Sequence, residues 1–378
     1  MSVAPRWAAG PPYAQVGRPA KQAATALAAA LVLLVGIEPA AALDIDGGVR
    51  LFGADGLPLP PFISDRDTIL HLHGGGGWQS AAWYRDVDGT AQPGLGDVPS
   101  ARLQNANGEL LSWLEQGVAP GLALFAGPRL TYEAYFADPD GQVEPTLRRS
   151  SRVDAFENLQ LSYVVGTDYD TLQVDDTGVL RAGWVAAATL EHAPAALNQV
   201  IGGADFARGS INATYYLPLV SNHRFRVYLA QRAIVDLIGG NGVPALAQGR
   251  IGGIRPQTGL GGAFRGLPGG RLDAPLKTLL SADLRGSWLT GFANDWFIPD
   301  ALAYVDFGTA SALDAPLSGA NAFDQVVLGS GAGVSMRVRL IPFLPFDLVL
   351  LGSFVFDLST ANAGALPPTL GLHFAHQF

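Results

Sequence analysis

The sequence predicts an all-β protein, a transmembrane antiparallel β-barrel with a glycine-rich loop folded inward. Three observations predict it. Residues of opposite character alternate with a period of two through most of the last hundred residues, the geometry of strands with one apolar face. With 47 Gly, no Cys, 15% charged residues and a mean hydropathy of +0.22, the 378-residue chain is too apolar for an ordinary soluble enzyme of its size. It also carries an export-like segment near its start.

That segment is the uncharged apolar run over residues 24–37, preceded by Arg6, Arg18 and Lys21 and followed by Ala40, Ala41 and Ala42. It is shorter than the roughly 20 residues a spanning helix needs, and its basic front and small-residue end fit a secretory signal. Cleavage after Ala42 is expected. Residues 1–42 are then a signal peptide, 43–68 a short periplasmic leader interrupted by Pro58, Pro60 and Pro61, and 69–378 the barrel. Removing Arg6, Arg18, Lys21 and Glu38 deepens the formal net charge from −9 to −11. An acidic chain without a basic run is a poor partner for nucleic acid, so none is expected. Absence of Cys excludes a disulfide framework and thiol chemistry.

Strand-like segments recur along the barrel region: Ile69 to His73, Ala81 to Val87, Gly121 to Phe136, Phe156 to Val165, Gly178 to Leu190, Ser210 to Leu217 and Phe225 to Ile238. Turns are expected at Asp138 to Gly141, Asp175 to Gly178 and Gly239 to Gly242. Glu109 to Gln116 reads as a helical turn within a loop. The last five strands, within 275–378, are clearer. In Leu276 to Trp288 the residues Leu276, Leu280, Ala282, Leu284 and Trp288 oppose Lys277, Ser281, Asp283, Arg285 and Ser287. In Ala301 to Thr309, Ala303, Val305 and Phe307 face away from Tyr304, Asp306 and Gly308. Val334 and Met336 oppose Gly329, Gly331, Gly333 and Arg337; Leu350, Phe354 and Phe356 oppose Ser353 and Asp357; Leu372, Phe374 and Phe378 oppose Gly371, His373 and Gln377. A soluble sandwich could show such faces. The narrow palette of charges and glycines on the polar face and the aromatic residues at segment ends favour a barrel with a polar lumen and aromatic girdles, whose strands must close because hydrocarbon offers an open edge no partner.

Ahead of the five strands stands Phe264-Arg265-Gly266-Leu267 in the glycine-rich loop 261–271. With Ser281-Ala282-Asp283-Leu284-Arg285, Tyr304-Val305-Asp306-Phe307-Gly308 and Gly331-Ala332-Gly333-Val334 with Arg337 behind it, the region from Gly252 to Phe378 resembles the bacterial surface antigen superfamily, the barrels of BamA and TamA type. That family carries a Val-Arg-Gly-Phe/Tyr motif in its sixth extracellular loop, followed by five strands. Phe264 and Leu267 depart from its usual Val and aromatic, and Asp283 stands where Glu is commoner. The resemblance implies sixteen strands, within a range of twelve to sixteen; sixteen would leave about 21 residues for each strand and its turn, room for spans of 9 to 11 residues. It implies residence in the bacterial outer membrane, contact with outer-membrane lipid, assembly by the barrel assembly machinery, and a role in assembling or translocating outer-membrane proteins or lipids. The stretch before the barrel is too short for the family's periplasmic POTRA domains, which favours a passive pore or structural barrel over the assembly role unless a separate periplasmic POTRA or chaperone partner stands in for them.

Chemistry gives the loop arginine a role of its own. A guanidinium folded into a lumen needs a carboxylate that matches its fork, and Asp283 and Asp306 lie on the inward faces of the next strands. Arg265, Gly266, Asp283 and Asp306 are therefore the candidate loop anchor, and Gly329, Gly331, Gly333 and Arg337 the glycine-rich strand behind it. Phe374 and Phe378 are candidates for the C-terminal assembly signal. No catalytic residue, metal ligand or cofactor is expected. The glycines after His73 lack a Gly-x-Ser-x-Gly elbow, His71 and His73 lack further ligands at motif spacing, and Gly252-Gly253 and Gly259 to Gly262 lack the ending of a phosphate loop. Three functions remain open: a non-enzymatic assembly or translocation barrel, a passive pore or structural barrel, and an outer-membrane hydrolase.

Overall fold

The structure, a computed structural model, describes residues 47–59, 68–83, 101–136, 157–175, 177–198, 203–244, 247, 251–252, 264–266, 274–290, 297–311, 325–338, 346–358, 364–365 and 368–376. These residues form one antiparallel sheet of fifteen strands: β1 Gly47–Leu59, β2 Thr68–Trp83, β3 Ala101–Ala119, β4 Leu122–Phe136, β5 Glu157–Asp170, β6 Gln173–Val174, β7 Arg181–Ala193, β8 Asp205–Ser221, β9 Phe225–Gly242, β10 Leu276–Trp288, β11 Phe297–Ser311, β12 Gln325–Val338, β13 Phe346–Asp357, β14 Gly364–Ala365 and β15 Thr369–His376. β6 and β14 are two-residue strands attached to β7 and β13. Each remaining strand pairs with its neighbour in sequence, β15 closing the order on β13. A short helical turn, α1 Ala195–Asn198, follows β7, and no described helix is long and apolar enough to cross a membrane.

Up-and-down order puts the connections at two ends. Residues 60–67, 120–121, 171–180, 222–224, 289–296 and 339–345 join strands at one end; the longer 84–100, 137–156, 194–204, 243–275, 312–324 and 358–368 join them at the other. Short turns on one side and long loops on the other are the habit of outer-membrane barrels. β1 starts at the long-loop end and β15 finishes at the short-turn end.

The two faces are inverted relative to a soluble protein. On one, Leu190 (65% exposed), Val334 (57%), Ile211, Leu280, Val305 and Phe354 stand outward. The other buries Glu133, Ser162, Glu191, Arg208, Asp236, Lys277, Asp283 and Asp306. Buried charges demand partners, and here they supply one another: Arg129 reaches Glu109 at 2.8 Å and Glu191 at 3.2 Å, and Ser162 donates to Glu191 at 2.6 Å. The polar face is concave. In a flat sheet β7 and β12 would lie roughly 24 Å apart, yet Arg337 of β12 donates to the carbonyl of Gly178, just before β7, at 2.8 Å.

Several sequence expectations are corrected. Glu109 to Gln116 is strand, not a helical turn: it lies within β3, paired to β2 and β4, with Leu111 and Gln116 buried. Ile69 to His73 and Ala81 to Trp83 belong to one strand, since β2 runs through Gly74 to Gly77, and residues 84–87 of the second expected segment lie outside the described residues. Gly239 to Gly242 is no turn but the end of β9, paired with Asp205 to Ala207. Residues 43–68, expected as a leader, contain β1, paired with β2. Eight full strands precede the long 243–275 connection, where a sixteen-stranded family barrel would have eleven, so sixteen strands are not reached among the described residues. The expected signal peptide, residues 1–42, and Phe378 lie outside the described residues.

Candidate functional site: a loop arginine seated on the inner face

The site is built by register. Ser281 of β10 pairs with Asp306 of β11, and Asp283 with Tyr304 two residues on. Because side chains on one face recur every second residue, these four groups form a square on the concave side. Arg265, from the 243–275 connection, fills it. Its Nε donates to Asp306 Oδ2 at 2.8 Å and its Nη2 to Asp306 Oδ1 at 2.5 Å, the fork-to-fork geometry that distinguishes arginine from lysine. Nη2 also donates to Asp283 Oδ1 at 2.6 Å and Ser281 Oγ at 2.8 Å, and the backbone N of Arg265 donates to Asp306 Oδ2 at 3.1 Å. Ser281 Oγ donates to Asp306 in turn. The guanidinium lies 3.7 Å from the centroid of the Tyr304 ring, whose hydroxyl donates to Ser353 of β13 at 2.5 Å. Asp283 accepts a further bond from Arg285 at 2.9 Å.

Burial makes this network matter. Asp306 is 0% exposed and Arg265 3%, so little water screens the pair. The residues flanking the arginine fit the same surface. Phe264 is buried among Ile234, Leu279, Val327 and Val355, and its ring lies against the bare Cα atoms of Gly308 and Gly329, where a Cβ would come within 2.9 Å of it. Tyr304 lies in the same way against Gly331, where a Cβ would fall 2.6 Å from its ring. Gly266 has φ +83°, and a Cβ there would meet Ser353 Cβ at 2.7 Å. The glycine-rich strand is therefore a smooth floor that accepts two aromatic rings.

The structure thus brings Arg265, Gly266, Asp283, Asp306, Gly329 and Gly331 together. Gly333 lies further along β12 against Leu351. Arg337 is at the short-turn end, bonded to Gly178 and remote from the loop. Phe374 is in β15 opposite Leu348. The rest of the 261–271 motif, from Gly261 to Ala263 and from Leu267 to Arg271, lies outside the described residues.

Sequence reasoning missed Ser281 and Tyr304 as partners, and it missed a second seat for the same connection. Arg208 of β8 donates to Asp236 of β9 through Nε at 3.0 Å and Nη2 at 2.7 Å, and Nη2 donates to the carbonyl of Gly252 at 3.1 Å. Gly252 N donates to Asp236 Oδ2 at 3.0 Å, and Lys277 Nζ lies 3.9 Å from Asp236. The signal was present as inward charges on three successive strands, but only the register, Asp236 opposite both Ser210 and Lys277, makes them neighbours.

No family model and no curated protein matches the chain. Among solved structures it is similar to BamA from Haemophilus ducreyi lacking POTRA domains 1–3, at 13% identity and a TM-score of 0.49. The likeness covers 84% of this chain and 60% of that one, so the chain spans less than two thirds of the length of the BamA structure it matches.

Proposed function

We propose that the chain is a non-enzymatic outer-membrane β-barrel of the bacterial surface antigen type, which helps to insert or export outer-membrane proteins or lipids. The observation that carries this reading is the Arg265 seat: a loop from the long-connection end is fixed to the concave, charged face of a sheet whose other face is apolar. An apolar exterior over a charged interior suits a sheet solvated by lipid outside and water within. A simple open pore has no need of a loop buried so deeply across its inner wall, which favours the assembly or translocation role over passive conduction. Arg265, Gly266, Asp283 and Asp306 act in this reading as the loop anchor, with a separate periplasmic protein presenting clients.

Depletion of the protein in its native host tests the function. The amount of folded outer-membrane proteins and of surface lipid should fall, and a copy carrying Arg265→Ala should restore it poorly. Unchanged outer-membrane composition on depletion, together with stable open-channel currents from the purified protein, would overturn the assembly role in favour of a pore.

A further inference from the structure

The connection between β5 and β7 does not simply turn. The β5–β7 ladder ends at Asp170 opposite Val185, and a separate small ladder then pairs Gln173 with Ala182 and Val174 with Arg181. Between the two ladders sits Gly183, with φ +110°, where a Cβ would fall 2.3 Å from the carbonyl O of Thr171. This bend sends the hairpin inward. Its tip is held in shape by Asp175, which accepts from Thr177 Oγ1 at 2.8 Å, Val179 N at 2.9 Å and Leu180 N at 3.1 Å. These bonds brace the hairpin from within.

What it touches lies across the inner face. Asp175 accepts from Arg226 Nε, at the start of β9, at 2.7 Å. Val179, 2% exposed, packs against Leu289 after β10 and Ile298 of β11. Gly178 O accepts from Arg337 of β12 at 2.8 Å. These ties reach four strands in order, all at the short-turn end, opposite the end from which the Arg265 loop enters. Their character also differs from that of the Arg265 seat: Asp175 and Arg226 both keep contact with solvent, whereas Asp306 and Arg265 are almost wholly buried.

We infer that residues 173–175 and 177–180 belong to a strap that closes the short-turn mouth over β9 to β12, separate from the Arg265 loop and released independently of it. A hairpin on a glycine bend, braced internally by Asp175 and tied across the inner face by polar contacts that include a partly solvated Asp175–Arg226 pair, is built to swing as a unit. Passage along the concave face then requires two separate releases, one at each end. The inference uses the geometry of the sheet and does not depend on whether the protein handles clients.

Ser287 reports on the strap. It is 3% exposed, faces inward on β10, and pairs in register with Arg226, the strap's own clasp. As the chain has no Cys, Ser287→Cys provides a unique thiol. Its reaction with a charged maleimide would be followed in the purified, folded full-length protein, with the denatured protein as ceiling. Labelling should be slow with the strap intact and at least tenfold faster with Arg226→Gln and Arg337→Gln; Val179→Ser, which weakens the apolar seat alone, should accelerate it too and serves if the double variant does not fold. Arg265→Ala should leave the protection in place. Equal rates with and without the strap ties, or a strap-intact rate at the ceiling, would overturn the strap; acceleration by Arg265→Ala equal to that of the strap variants would overturn its independence.

Discussion

Asp306 on β11 and Ser281 on β10 are cross-strand partners that both bind the same nitrogen of Arg265. The loop is thus read by the sheet's register, and a one-residue slip of either strand would turn that strand's own group to the opposite face. Removing one member of so buried a pair deprives the other of its fork-to-fork partner, at a typical cost of about 3–5 kcal/mol. Arg265→Ala and Asp306→Asn should each lower the denaturant midpoint of the folded protein by a similar amount, and the double variant should cost far less than their sum. Additive losses in that cycle would show that the two residues act separately.

The floor beneath Phe264 gives a steric prediction. Gly329→Ala places a methyl 2.9 Å from the Phe264 ring, within a packed cluster that has little room to give, and overpacking of this kind costs about 1–3 kcal/mol. The loop should become sensitive to protease in Gly329→Ala, and the smaller side chain of Phe264→Leu should relieve much of that in the double variant. Limited proteolysis of the folded protein reads the outcome directly.

Asp175 lies in the turn outside the spanning strands. Burial alone would push its pKa up, but hydrogen bonds from Arg226, Thr177 and the Val179 and Leu180 amides outweigh it and hold the carboxyl below the ordinary aspartate value. A carboxyl depressed in the folded state contributes stability that is fully present above its unfolded pKa of about 4 and is lost as pH falls through the folded value. The strap should therefore hold at neutral and mildly acidic pH and loosen only below about pH 4. Asp175→Asn should remove that acid dependence, seen as a labelling rate at Ser287→Cys that no longer changes as the pH is lowered.

Val305, in the middle of β11 and half exposed on the apolar face, tests the orientation of the sheet. Val305→Arg should cost about 2–4 kcal/mol in a bilayer if that face meets hydrocarbon. Val305→Leu should be close to neutral. Folding into lipid vesicles, compared with folding in a short-chain detergent, isolates the membrane contribution.

The tail was legible because its faces are nearly pure: Leu276–Trp288 was expected as a strand and is β10 to the residue, and Asp283 and Asp306 were placed inward by parity alone. Glu109 to Gln116 was misread because the inner face also takes leucine, so Leu110 outward and Leu111 inward spoil the alternation, and the helix propensity of Glu, Leu and Gln fills the gap. The Arg208–Asp236–Lys277 seat needed a register that alternation cannot supply. The strap needed more still, since Arg226 and Arg337 are distant in sequence from Asp175 and Gly178 and no local pattern announces a turn folded inward.

The direction of the edge strands has one more consequence. β1 descends from the long-loop end to the short-turn end, and β15, an even number of full strands later, descends in the same sense. Were these two edges to meet, they would do so in parallel, in a sheet where every other neighbour is antiparallel. Parallel pairing is the weaker ladder per residue, with slanted bonds in place of perpendicular ones. Among the described residues the full strands are odd in number, so a wall closed from them would have its weakest joint there before any side chain at the joint is considered.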